Sequence, residues 1–159
     1  MVIFISGSIN SGKSTVSKIL ADKIDKSSVI EVDALRNFIP KVPLEEAIPI
    51  NLENVVSIIK NFSKHKISSI IPYPISQKNY DFLMEELKSL EGPFYFFTLN
   101  PDFEIVSKDR GERKLTDWEK ERIKYHYDIG INKPSFAILI NNSSNTPDQT
   151  AEEILSHIK

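Results

Sequence analysis

The sequence predicts an α/β chain, a three-layer α/β/α sandwich whose middle layer is a five-stranded parallel sheet. Three observations lead there. Short apolar runs alternate five times with segments in which apolar residues recur at helical spacing. Two of those runs, Val2-Ile3-Phe4-Ile5 and Phe94-Tyr95-Phe96-Phe97-Thr98-Leu99, are apolar almost throughout, as strands covered on both faces are. The first run flows straight into Gly7-Ser8-Ile9-Asn10-Ser11-Gly12-Lys13-Ser14-Thr15, a glycine-punctuated turn that opens a helix.

The elements follow in order. After the turn, Val16, Ile19, Leu20 and Ile24 mark the inner stripe of a first helix. Ser28 to Val32 reads as a second strand that ends at Asp33, and Ala34 to Ile39 as one or two helical turns stopped by proline. Residues 40–49 hold three prolines and read as an irregular connector; a helix then runs from Asn51 to about His65 on Leu52, Val55, Val56, Ile59 and Phe62. Ile67 to Ile71 is a third strand, broken by Pro72-Tyr73-Pro74. Ser76 caps a helix with the stripe Tyr80, Leu83, Met84, Leu87 and Leu90, which Gly92-Pro93 ends. Phe94 to Leu99 is the fourth strand, and Asn100 caps a short helix after it. Residues 107–115, charged around one glycine, form an exposed loop. Thr116 and Glu119 make a capping box for a helix to about Ile129. Asn132-Lys133-Pro134-Ser135 reads as a turn. Phe136 to Ile140 is the fifth strand, and Thr146-Pro147 with Gln149 opens the last helix.

Composition bounds the possibilities. The chain has 159 residues, 40% hydrophobic and 26% charged, which suits one domain with a sizeable core. A net charge of −2 argues against a partner held by bulk charge, so nucleic acid is expected only as an end bound in a pocket. Cysteine is absent, which excludes a disulfide framework, and no apolar run is long enough for a membrane span or a signal peptide. A cytoplasmic protein with a small-molecule partner is expected.

Residues 7–15 carry the chemistry. They match G-x-x-x-x-G-K-[ST] at Gly7, Gly12, Lys13 and Ser14. Glycines let the backbone turn so that successive N–H groups converge on phosphate oxygens, and the helix behind adds its positive end. Lys13 reaches the β- and γ-phosphates as a point charge, and Ser14 offers a hydroxyl to Mg²⁺. Ser8, Asn10, Ser11 and Thr15 complete the nucleotide cradle. In a parallel sheet, ligands bind beyond the carboxyl ends of the strands, so Asp33 and Tyr73 converge on the same cleft. Asp33 there can take a proton from an attacking hydroxyl, or hold Mg²⁺ through water; it can also simply cap the helix at Ala34.

Arginine use is selective. Against sixteen lysines stand four arginines, Arg36, Arg110, Arg113 and Arg122. Their planar fork of donors suits phosphate oxygens. Arg110 and Arg113 are assigned to a loop closing over the transfer, Arg110 on the nucleotide and Arg113 on the moving phosphoryl group. Arg36 is placed on a phosphate or carboxylate of the acceptor. Arg122 shares a helical stripe with Trp118 and Tyr125 and faces either the cleft or Glu119 and Asp117. Of the histidines, His126 between two tyrosines reads as surface.

These residues resemble a family, the small P-loop kinases that include chloramphenicol phosphotransferase, shikimate kinase, gluconate kinase and adenylate kinase. Glu31-Val32-Asp33-Ala34-Leu35-Arg36 looks most like the Val-Asp-x-Leu segment of the chloramphenicol phosphotransferase-like group, where the Asp is the proposed base. It is also similar to the Asp-x-x-Arg segment of polynucleotide kinases. The resemblance implies a single P-loop kinase domain over 1–159 of the nucleotide-kinase type, with an acceptor region at about 34–64 and a lid at about 107–122. It implies ATP and Mg²⁺, and transfer of the γ-phosphate to a hydroxyl of an antibiotic, sugar or metabolite. A nucleoside, nucleotide or polynucleotide 5′-hydroxyl stands second as acceptor, and an ATP-binding switch or degenerate kinase is the reading of another class. One departure is visible: the third strand ends in Pro72-Tyr73-Pro74 with no acid for the metal.

Overall fold

A computed structural model describes residues 1–109 and 114–158. Strands β1 (Val2–Gly7), β2 (Ser27–Val29), β3 (Ser68–Pro72), β4 (Phe94–Leu99) and β5 (Ile138–Ile140) form one sheet in the order β2-β3-β1-β4-β5. Every pairing is parallel; Ile5 lies opposite Pro72 on one side and Phe97 on the other. Helices α1 (Lys13–Lys23), α3 (Leu44–Lys64), α4 (Gln77–Leu87) and α7 (Pro147–Ser156) cover the sheet. Short helices α2 (Val32–Leu35) and α5 (Phe103–Val106), with the longer α6 (Asp117–Asp128), gather at its carboxyl edge. This is the three-layer α/β/α sandwich that the sequence predicts.

The central strand shows why. Successive side chains of a strand point to opposite faces. Val2 and Phe4 therefore enter a core shared with α3 and α4, and Ile3 and Ile5 a second core shared with α1 and α7. All four are buried, so β1 is apolar without alternation. Phe4 stacks on Phe96 of β4 with ring centroids 4.6 Å apart. The two capping boxes, Thr116 with Glu119 and Thr146 with Gln149, are formed, and Ser76 accepts from the Asn79 N–H.

The structure corrects several expectations. Residues 44–49 are helical: α3 begins at Leu44, seven residues before the expected start at Asn51, and carries Pro49 inside it. A proline there removes one backbone bond and crowds the preceding turn. Burial of Ala47, Leu52, Val55 and Ile59 along one face holds the helix together through it. The second strand stops at Val29, because Ile30 leaves the sheet after one last bond to Ile70 and the chain turns into α2. Asp33 thus sits inside a helical turn rather than one residue past a strand. The short helix after β4 starts at Phe103 with Asp102 as its cap; Asn100 instead accepts from the Asn132 side chain. The fifth strand covers only Ile138–Ile140, and α4 ends at Leu87, ahead of Gly92. Among the described residues no helix is long and apolar enough to cross a membrane.

Candidate functional site

The glycine-rich turn leaves the end of β1, the middle strand of the sheet. Gly7 has φ +135°, a region closed to side chains, and a Cβ there would lie 2.6 Å from the Leu99 carbonyl oxygen and 2.8 Å from Ser11 Oγ. Its register partner in β4 is Leu99 itself, so the backbone cannot retreat. Gly7→Ala is expected to cost on the order of 3 kcal/mol of folding free energy, from strain plus the clash; urea unfolding checks this.

Ser8 and Ser11 are buried behind the turn, and Gly12, at φ +97°, delivers the chain into α1. Lys13 Nζ donates to the Ser8 carbonyl at 2.6 Å, folding the side chain back over the cradle. Asn10 takes φ +64°, and its amide donates to the Val106 and Lys108 carbonyls at 2.9 and 3.0 Å. The side chain expected on the nucleotide therefore also ties the turn to the segment ahead of residue 110. A cavity of about 290 Å³ opens beside the turn, walled by Gly12, Lys13, Ser14 and Thr15 on one side and Asn142 and Asn145 on the other. Asn142, in what the sequence showed only as a turn, donates to the Ser11 carbonyl at 2.9 Å and braces the cradle.

Ser14 is exposed at the mouth of α1, with its hydroxyl donating to Glu31 Oε2 at 3.4 Å. Glu31 was passed over in the sequence, yet its carboxylate stands at the hydroxyl of Ser14. Mg²⁺ takes oxygen donors, commonly one or two carboxylates with phosphate oxygens and water. Ser14 and Glu31 fit that donor set. Among the described residues no cluster of three or more acidic, histidine or cysteine side chains offers an alternative.

A second cavity, of about 120 Å³, brings together Asp33, Arg36, Asn51, Tyr73, Arg122 and His126. The substrate-side residues expected from sequence thus converge. Two backbone contacts place Tyr73: its N–H donates to the Ile5 carbonyl at 3.1 Å, and the Ile75 N–H donates to Ser6 Oγ at 2.9 Å. Asp33 does not cap α2; the cap position is Glu31. Its carboxylate makes no hydrogen bond or ion pair among the described residues. Asp33 keeps an exposed edge, but the protein around it raises its carboxyl pKa by desolvation while Lys13 opposes the rise. Burial and the Asp33 charge push the Tyr73 hydroxyl up to about 12, against a counter-pull from Arg122. Arg122 lies over the Tyr125 ring at 4.8 Å and lines the cavity; Glu119 is engaged with Thr116, and Asp117 with Lys120. Arg110 and Arg113, the expected lid residues, lie outside the described residues.

His126 is a correction. It is 2% exposed, and its Nδ1 meets Ser8 Oγ at 3.3 Å, linking α6 to the phosphate-binding turn. Burial, then the charges of Arg122 and Lys13, lower its pKa to about 4 from 6.5. Its ring is neutral at pH 7. A histidine whose folded pKa is depressed stabilises the fold fully above the unfolded pKa and loses that contribution as pH falls toward the folded value. The window is therefore pH 6.5 down to about 4, and at about 1.4 kcal/mol per unit the full loss is roughly 3 kcal/mol. His126→Gln is expected to flatten that stretch of a stability-against-pH curve measured by urea unfolding. No local signal marks His126 in the sequence. Asn51 had one, a polar residue on the buried stripe of α3.

Comparisons with known proteins agree with this fold. A family model described as Zeta toxin matches residues 1–90, more than half of the chain. A search of curated proteins finds no match. Among solved structures, the chain is similar to the Deinococcus radiodurans tunicamycin resistance protein, at 20% identity and TM-score 0.67, covering 99% of this chain and 94% of that one. It is similar to the Mycobacterium tuberculosis APS kinase CysC in complex with AMPPNP and APS, at 14% identity and TM-score 0.74, covering 98% and 95%. It is similar also to a gluconokinase from Sinorhizobium meliloti 1021, at 14% identity and TM-score 0.71, covering 98% and 89%.

Proposed function

Because the chain belongs to the Zeta toxin family, we propose that it is a single-domain ATP-dependent phosphotransferase acting on a hydroxyl of a small molecule. One observation carries the reading: a carboxylate with no hydrogen-bond or ion-pair partner among the described residues, Asp33, stands in a cavity next to the glycine-rich turn, close enough for Lys13 to act on its charge. The neighbours named for gluconate and APS support a small acceptor.

In this reading the turn amides from Ser8 to Thr15 and Lys13 hold the triphosphate, with Arg110 on the nucleotide. Ser14 and Glu31 would hold Mg²⁺, directly or through water, which would neutralise charge on the phosphate oxygens. Asp33 accepts the proton of the acceptor hydroxyl as its oxygen bonds to the γ-phosphorus and the bond to the ADP oxygen breaks. Arg113 and Arg122 stabilise the equatorial oxygens, where charge spreads in the transition state. Arg36 and Tyr73 orient the acceptor.

The test is phosphoryl transfer from γ-labelled ATP with Mg²⁺ to a panel of sugars, polyols, nucleosides and antibiotics. Label on one or more compounds is expected. Slow hydrolysis with no labelled compound, unchanged in Asp33→Asn, would establish the ATP-binding switch instead. A labelled nucleoside or 5′ end would move the acceptor to the second class.

A further inference from the structure

We propose that Arg36 and Asn51 form one polar subsite in the acceptor cavity, built for an anionic oxygen beside a hydroxyl or N–H group. The acceptor is then a polyhydroxyl compound that carries its own carboxylate or phosphate. The inference rests on the phosphotransferase reading of that cavity and narrows it.

Two orphaned atoms of opposite character line the same space. Asn51 Oδ1 is cut off from solvent, in a residue 5% exposed, and has no hydrogen-bond partner among the described residues. Arg36 Nη1 is equally cut off and, among the described residues, equally without a partner. Buried polar atoms are nearly always satisfied; of the six exceptions among the described residues, these two line the acceptor cavity, where a ligand can meet them. The pair asks for complementary chemistry: Oδ1 takes a donor, and a guanidinium nitrogen takes an acceptor, best a charged one.

Asn51 also breaks the pattern of its helix. Its face of α3 is otherwise Ala47, Leu52, Val55 and Ile59, all buried in or against the core. A leucine there would fill the space without an unmet hydrogen bond. Charge completes the argument. The described cavity walls hold two guanidinium groups, Arg36 and Arg122, against one carboxylate, Asp33. Asp33 is reserved for the hydroxyl proton in the proposed transfer, and His126 is neutral. One cation therefore remains for the ligand to neutralise, and Arg36 has no ion pair among the described residues.

Trp118 lines this cavity and is the one tryptophan of the sequence, so its fluorescence reports occupancy. The protein is saturated with AMPPNP and Mg²⁺, which fills the phosphate cradle and permits no transfer. D-gluconate is then titrated against sorbitol, and glucose 6-phosphate against glucose, which separates carboxylate from phosphate. At least one anionic probe is expected to bind about tenfold more tightly than its neutral partner. Arg36→Met should abolish that preference. Asn51→Leu should weaken the preferred probe about fivefold while Tm holds or rises. Equal or absent responses to all four probes overturn the subsite, as does a preference that survives Arg36→Met. A fall in Tm for Asn51→Leu with unchanged binding makes the amide structural and removes it from the subsite. Because binding is read without transfer, a protein that phosphorylates nothing can still pass this test. A kinase for a neutral acceptor fails it.

Discussion

Asp33→Asn is expected to lower kcat for phosphoryl transfer by about 10²–10⁴-fold, the range for removing a general base, while nucleotide affinity stays within about threefold. The substitution keeps the shape of the side chain and removes only its capacity to accept a proton. Asp33 does not cap α2 and makes no bond among the described residues, so little structure depends on the charge. The same variant has a second signature. Desolvation raises the carboxyl pKa above its ordinary 3.8, with Lys13 resisting. In the native protein kcat/KM should therefore climb with pH through a value above that of a free carboxylate, because the base works only when ionised. In Asp33→Asn that limb should be flat. A limb that persists in the variant assigns the proton to another group. Loss of activity through nucleotide affinity alone places the carboxylate on the metal.

Local physics decides what was legible in the sequence. The glycine-rich turn, β1, β4 and both capping boxes were readable because each is defined within about nine consecutive residues. That the sheet is parallel followed from the alternation of strands and helices; its order, β2-β3-β1-β4-β5, had no local signal. The start of α3 was not readable, since Pro43 and Pro49 look like breakers. Pro43 serves as the cap and its carbonyl accepts from Glu46 and Ala47, and packing against β3 and α4 carries the helix past Pro49. The cavity residues Asp33, Arg36, Tyr73 and Arg122 could be named because each stands beside a strand end or on the last long amphipathic segment before β5. His126 could not. Its partner Ser8 is 118 positions away, and its burial depends on how α6 packs over the turn. Glu31 was hidden for a related reason: the strand was taken to run through it, whereas the chain leaves the sheet at Ile30 and presents Glu31 to Ser14.

Lys13→Met should be the other severe loss, about 10²–10³-fold in kcat, as for deletion of one donor aimed at developing charge. Methionine matches the length of the stem, so the turn keeps its packing. It loses the bond to the Ser8 carbonyl and the cation that the triphosphate would otherwise recruit. Lys13 acts on more than phosphate. Its charge lowers the pKa of Asp33 and of His126, so removing it should move both upward. The acid limb of kcat/KM should shift to higher pH in Lys13→Met, in the direction opposite to what a compensating rescue would need. The two substitutions are coupled through that field and through one reaction step, and their effects should fall short of additive. A double variant no worse than Asp33→Asn alone would show that base and lysine act on one transition state. Fully multiplicative losses would separate them into independent sites, one for holding nucleotide and one unrelated to it, and the shared cleft would lose its chemical meaning.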